Sequence, residues 1–125
     1  MVGKIKKINY IGKIQKIKNN NKRICDLNNS GLARDKRELF DKFGAQKRRA
    51  FVNAVHNSCK FLLKNEKNLS KSLSIGFQKN KNKLRKISKE KIFKKKSVLV
   101  KDQIGSGLLS LISKGIEWLI SKLAG

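Results

Sequence analysis

Between Ala45 and Asn65 the chain reads AQKRRAFVNAVHNSCKFLLKN, and Phe51, Val52, Val55, Cys59, Leu62 and Leu63 return at helical spacing with Asn53, Asn57, Lys60 and Lys64 opposite. A stripe with that period belongs to an amphipathic helix and cannot form one face of a strand, whose side chains alternate. One such helix cannot hide its own stripe, so other helices must cover it. The preceding LARDKRELFDKFG supplies a candidate: Leu32, Leu39, Phe40 and Phe43 fall on one helical side, and Gly44 is placed as the C′ stop. The fold class expected is all-α, a small helical hairpin or bundle.

Further along, Phe77, Leu84 and Ile87 suit a third helix, and Ser88 is read as capping another turn or two that carry Ile92 and Phe93. The small helical domain is accordingly drawn over 32–93. A helix-turn-helix has the same outline as the first two helices, but a hairpin packed on its own core is the simpler reading. His56, on the border of the stripe, is read as an interface residue and not as a base.

The segment before this domain behaves differently. Ile5, Ile8, Ile11, Ile14 and Ile17 recur every third residue, and on an α-helix three residues turn about 300°, so these side chains walk around the cylinder. A 3₁₀-helix would align them, but long 3₁₀ runs are uncommon. With NNNKR and DLNNSG following, residues 1–31 are expected to be a basic Ile/Lys/Asn-rich arm, disordered in the free protein and ordering on nucleic acid.

Charge narrows the partners. The chain has 32 Lys and Arg against 8 Asp and Glu, a net +24 in 125 residues, and such a field favours expansion unless a polyanion neutralises it. The density peaks in Lys79, Lys81, Lys83, Arg85, Lys86, Lys89, Lys91, Lys94, Lys95 and Lys96, opposed there by Glu90 alone, and Lys47, Arg48 and Arg49 open the Phe51 helix. Lysine is a point charge suited to phosphate, and the phenylalanines sit at core positions instead of forming a stacking platform. The expected partner is double-stranded DNA of any sequence. Eight phosphate contacts would give a log–log salt slope of about −7. Arg85 and Lys86, followed by Lys94 to Lys96, also fit a nuclear import signal.

Residues 94–106 are read as a basic linker with a hinge at Gly105 and Gly107, leading to an amphipathic helix over 107–125. Projected at about 100° per residue, Leu108, Leu109, Leu111, Ile112, Ile116, Trp118, Leu119, Ile120 and Leu123 fill an arc of about 200°, with Ser110, Ser113, Lys114, Glu117 and Ser121 in the remainder. Two uses fit that face. It lies in an anionic membrane surface, or it covers the central hairpin or another copy of the chain. Lys114 and Glu117 would fall mid-span in a membrane-crossing helix.

Catalysis is not expected. Cys25, Cys59 and His56 lack metal-ligand spacing, no glycine loop cradles phosphate, and Asp35, Glu38 and Asp41 are spaced as solvated helix charges. No cofactor or metal is implied. The lysine-interrupted start, MVGKIKKINYIGKIQKIK, contains no apolar core of a secretory signal.

The order of KRRAFVNAVHNSCKFLLKN, SLSIGFQKNKNKLRKISKEKIFKKK, a glycine break and GLLSLISKGIEWLI resembles the small basic proteins encoded beside capsid genes in polinton and adintovirus-type DNA elements of animals. The matching positions are Lys47, Arg48, Arg49 and Ala50, then Gln78 and Lys79, Leu84 and Arg85, Lys94 to Lys96, and Gly105 and Gly107. They span roughly the last two thirds of the chain, with Gly105–Ser106–Gly107 standing where that family has paired glycines. The resemblance implies a minor structural protein of a virion, akin to adenovirus minor core and lytic proteins. It would be present in the host nucleus during assembly and would contact DNA, a membrane, and capsid proteins or its own copies. The competing class is a cationic, bacteriocin-like membrane toxin without nucleic-acid function. A cellular helix-turn-helix regulator is disfavoured by the surplus of lysine over arginine.

Overall fold

In the computed structural model the backbone is described over residues 2–124, and side chains over 13–32 and 34–122. Among these residues there are six α-helices and no strand: α1 (Val2–Asn28), α2 (Ala33–Asp41), α3 (Ala45–Lys64), α4 (Lys71–Lys89), α5 (Phe93–Asp102) and α6 (Leu108–Ala124), with a 3₁₀ turn over Glu66–Asn68. The chain is therefore all-α, as its periodicity requires.

Helix α3 is the hub. Its Phe51, Val52, Val55, Cys59 and Leu62 are buried, and α1, α4, α5 and α6 all pack against it. Ser70 starts α4, its Oγ accepting from the Leu73 amide at 3.3 Å, and Phe77, Leu84 and Ile87 go inward as the sequence suggests. A second cluster joins α2 to α3, where the Phe40 ring lies 5.8 Å from both Phe43 and Phe51.

Several expectations are corrected. Leu32 is 77% exposed and Leu39 lies at the surface, so only Phe40 and Phe43 of that stripe turn inward. Gly44 has φ −66° and opens α3 instead of closing α2 in the left-handed region. Ser88 is inside α4, where its hydroxyl donates to the Arg85 carbonyl, and Glu90 ends that helix. The linker expected over 94–106 contains α5, held by buried Val100 and followed by buried Ile104.

The largest departure is the arm. Val2–Asn28 is one helix, and its Ile17, Asn21, Ile24 and Leu27 are buried against α3 and α6. The steps of four, three and three from Ile17 form a proper helical stripe once Asn21 counts as an inward position. The side chains of Ile5, Ile8 and Ile11 lie outside the described residues.

Helix α6 completes the core. Leu108, Leu109, Ile112, Ile116 and Leu119 are essentially inaccessible. Its serine side faces α1: Cys25 Sγ and Ser113 Oγ are 2.9 Å apart, and Asn28 Nδ2 donates to Ser110 Oγ at 2.8 Å. Gly115 allows the crossing with α3, because a Cβ there would stand 2.7 Å from Leu62 Cδ2. The core thus extends beyond the 32–93 unit at both ends.

Candidate nucleic-acid interface

The outer side of α4 presents Lys79, Lys83 and Lys86 at steps of four and three, with Arg85 and Lys89 four apart beside them, all exposed. Lys91, Lys94 and Lys95 continue this surface through the loop into the first turn of α5, also exposed. The lysine-rich segment is thus largely exposed, with Lys89 and Lys91 also bordering a cavity beside His56.

Two of its residues are used otherwise. Lys81 is half-buried, with its ammonium 3.0 Å from the Glu66 carboxylate. That hydrogen bond holds the Glu66 carboxyl below the usual carboxylate range, with Gln78 adding a weaker contact. Lys96 is 9% exposed and sits under the α4–α5 corner, so it does not belong to the outer face.

The basic triplet at the start of α3 is tied into aromatic packing. The Lys47 ammonium lies 4.7 Å from the Phe43 ring centre, the Arg48 guanidinium 5.4 Å from Phe40, and that of Arg49 4.8 Å from Phe93. Arg48 also donates to the Asp41 carbonyl at 2.9 Å. It is half-buried and staples α2 to α3, whereas Lys47 and Arg49 keep exposed charge.

A second basic surface was not foreseen. A cavity of about 410 Å³ opens between α1 and α3, lined by Lys13, Lys16 and Arg23 from one helix and Lys60 and Lys64 from the other. Asn19, Asn20 and Asn57 share its wall, Ile17 and Phe61 give it an apolar floor, and no carboxylate lines it. The usable signal was the spacing of Lys13, Lys16 and Arg23, which fall on one side of a helix once the arm is known to be helical. Lys60 also borders a further cavity on the other side of α3, beside His56.

Among the described residues the ion pairs are Arg34–Glu38, Lys81–Glu66 and Lys101–Asp41. The outer lysines of α4 and the α1–α3 cavity therefore carry cations without carboxylate partners. Since only 8 acidic residues exist for 32 basic ones, the imbalance cannot be removed by rotamer changes.

Of the nine residues expected to enter a membrane, eight are placed inside the bundle or on its rim. Leu108, Leu109, Ile112, Ile116 and Leu119 are buried, while Leu111, Trp118 and Ile120 pack partly against the same core. The Leu123 side chain lies outside the described residues. Trp118 Nε1 donates to the Asn68 carbonyl at 2.8 Å, which fixes α6 to the 3₁₀ turn. Among the described residues no helix is long and apolar enough to cross a membrane.

Comparison with family models, with curated proteins and with solved structures finds no match to this chain.

Proposed function

We propose that this protein binds the phosphate backbone of double-stranded DNA without reading base sequence. The observation that carries the reading is the exposed run Lys79, Lys83, Arg85, Lys86, Lys89, Lys91, Lys94 and Lys95 on α4, the following loop and the first turn of α5, opposed within it by Glu90 alone. Ammonium groups at surface positions release condensed counterions when they meet phosphates, which is the main source of non-specific affinity. The α1–α3 cavity adds cations on a second side, and a molecule with two basic surfaces is suited to bridging and condensing DNA segments. The burial of Phe40, Phe51 and Phe77 removes the rings that a single-strand stacking platform would need. Together with the resemblance to polinton and adintovirus-type proteins, this supports a genome-associated virion component that contacts capsid proteins or its own copies.

The test is duplex binding by the full chain against a variant with Lys83, Lys86, Lys94 and Lys95 all changed to Gln. The expected result is weaker binding to every duplex alike, with a salt slope reduced by up to about four contacts' worth. Unchanged affinity, or a loss confined to one base sequence, would refute the proposal.

Membrane engagement is a second proposal, for a state in which α6 has left the bundle. Its support is the exposed Gly105–Ser106–Gly107 connection, where both glycines have positive φ, +86° and +90°, and link α6 to the rest through a hinge. The pairing of Cys25 with Ser113 provides a lock. Ser113→Cys, oxidised to join α1 and α6, should abolish dye release from anionic vesicles, and reduction should restore it. Release by the oxidised form would show that α6 need not leave the bundle, and its absence in both forms would favour DNA binding alone.

A further inference from the structure

Lys96 raises a question that the outer lysines do not. It is 9% exposed, and none of the ion pairs among the described residues includes it. Its aliphatic stem accounts for that burial and its ammonium reaches solvent, since the buried side-chain polar atoms without a partner among the described residues are Asn21 Oδ1, Arg48 Nε and Ser58 Oγ. Its surroundings are not neutral. Lys96 borders a cavity of about 470 Å³ between α3 and the α4–α5 corner, shared with Lys60, Lys89, Lys91, His56 and Glu90. The one carboxylate among them is already engaged, since Glu90 Oε1 accepts from the Ile92 amide at 3.2 Å.

We propose that this cavity is a discrete binding site for a multiply charged phosphate group, either the terminal phosphate of a nucleic-acid strand or a free oligophosphate. It goes beyond the backbone-binding reading, because it is a cavity lined by the largely buried side chain of Lys96, whereas Lys79, Lys83 and Lys86 stand on the exposed side of α4. Four lysines line it, Lys60 of α3, Lys89 at the end of α4, Lys91 of the following loop and Lys96 of α5, enough charge to neutralise a dianion and still exceed Glu90. His56 completes the wall. Its Nδ1 lies 3.0 Å from the Ile87 carbonyl oxygen, so in the neutral ring Nδ1–H donates there and Nε2 is left to take up a proton when an anion arrives. Burial lowers the affinity of this imidazole for a proton, the Ile87 hydrogen bond opposes that, and Lys96 and Lys60 add to the lowering. A phosphate in the cavity would reverse the effect of those two ammoniums.

Because His56 is the single histidine of the chain, its NMR titration is read without overlap from another imidazole. In the full-length protein, saturating inorganic pyrophosphate should raise the His56 midpoint by about one pH unit. Lys96→Gln should weaken pyrophosphate affinity about tenfold, and the exposed Lys91→Gln, which does not threaten the core, should act in the same direction. Lys71→Gln, which removes the same charge from the far end of α4, should leave the response intact. A duplex with 5′-phosphates raising the midpoint where a 5′-hydroxyl duplex does not would identify strand ends, and a response to pyrophosphate alone would identify a free oligophosphate; both outcomes support the site. An equal response to the two duplexes would identify singly charged internucleotide phosphate and overturn it. No midpoint change with any probe, or an equal loss in Lys71→Gln, would overturn it. Duplex retention measured on the same samples separates the two proposals: retention with a silent His56 refutes this site alone, and a responsive His56 without retention refutes only backbone binding.

Discussion

His56 and Cys59 lie one turn apart on α3 and titrate in opposite senses. Burial lowers the His56 pKa, so the folded protein binds fewer protons than the unfolded chain as pH falls through about 6.5, and stability must fall with it. Burial pushes the Cys59 thiol up to about 12, so the folded protein retains a proton that the unfolded chain gives up near pH 9, and stability must fall as pH rises beyond that. Chemical denaturation across pH should therefore show a plateau between about 7 and 8.5. His56→Gln should flatten the acid side, and an unchanged acid side would mean that the imidazole is not held in this environment. The same burial shields the thiol. Cys59 should resist alkylation at pH 8 until the chain unfolds, so modification of Cys59 in native protein would contradict its burial.

At the level of helices, α1 and α6 are the informative cases. Ile24 is fully buried, so Ile24→Ala should cost about 2–5 kcal/mol in chemical denaturation, whereas Leu32→Ala, at an exposed site, should stay within about 0.5 kcal/mol. Equal effects would mean that α1 is not part of the folding unit. Ile112→Asp should prevent folding, because it places an unpaired charge among fully covered side chains. Helix α3 was legible because its six apolar positions keep one period over three turns, and α4 because Phe77, Leu84 and Ile87 do the same. Helix α1 was not, because the three-residue isoleucine pattern before Ile17 hides the stripe that follows, and an inward asparagine looks like a loop residue. Asn21 Oδ1 is in fact buried without a partner. Helix α5 was obscured by its three consecutive lysines, of which Lys96 turns under the corner while Lys94 and Lys95 stay out. The apolar arc of α6 was evident, but periodicity identifies a face and not its partner, and here the partners are α1, α3 and α4. The α1–α3 cavity escaped the sequence reading because its lysines come from two segments far apart in the chain.

Over the whole molecule, one property has two opposite salt responses. Net charge +24 strains the free bundle by self-repulsion, so added salt should raise its melting temperature. The same salt should weaken its hold on DNA by reducing the gain from counterion release. A binding protein whose affinity came from base contacts would separate these responses, since base hydrogen bonds respond far less to salt than phosphate contacts do. The most direct measurement is the affinity of the full-length protein for two duplexes of equal length and unrelated sequence, from about 50 to 200 mM salt. The two log–log plots should coincide, with a common slope on the order of −7, corresponding to about eight phosphates. A flat dependence, or two plots separated by a sequence preference of tenfold or more, would contradict sequence-independent backbone binding.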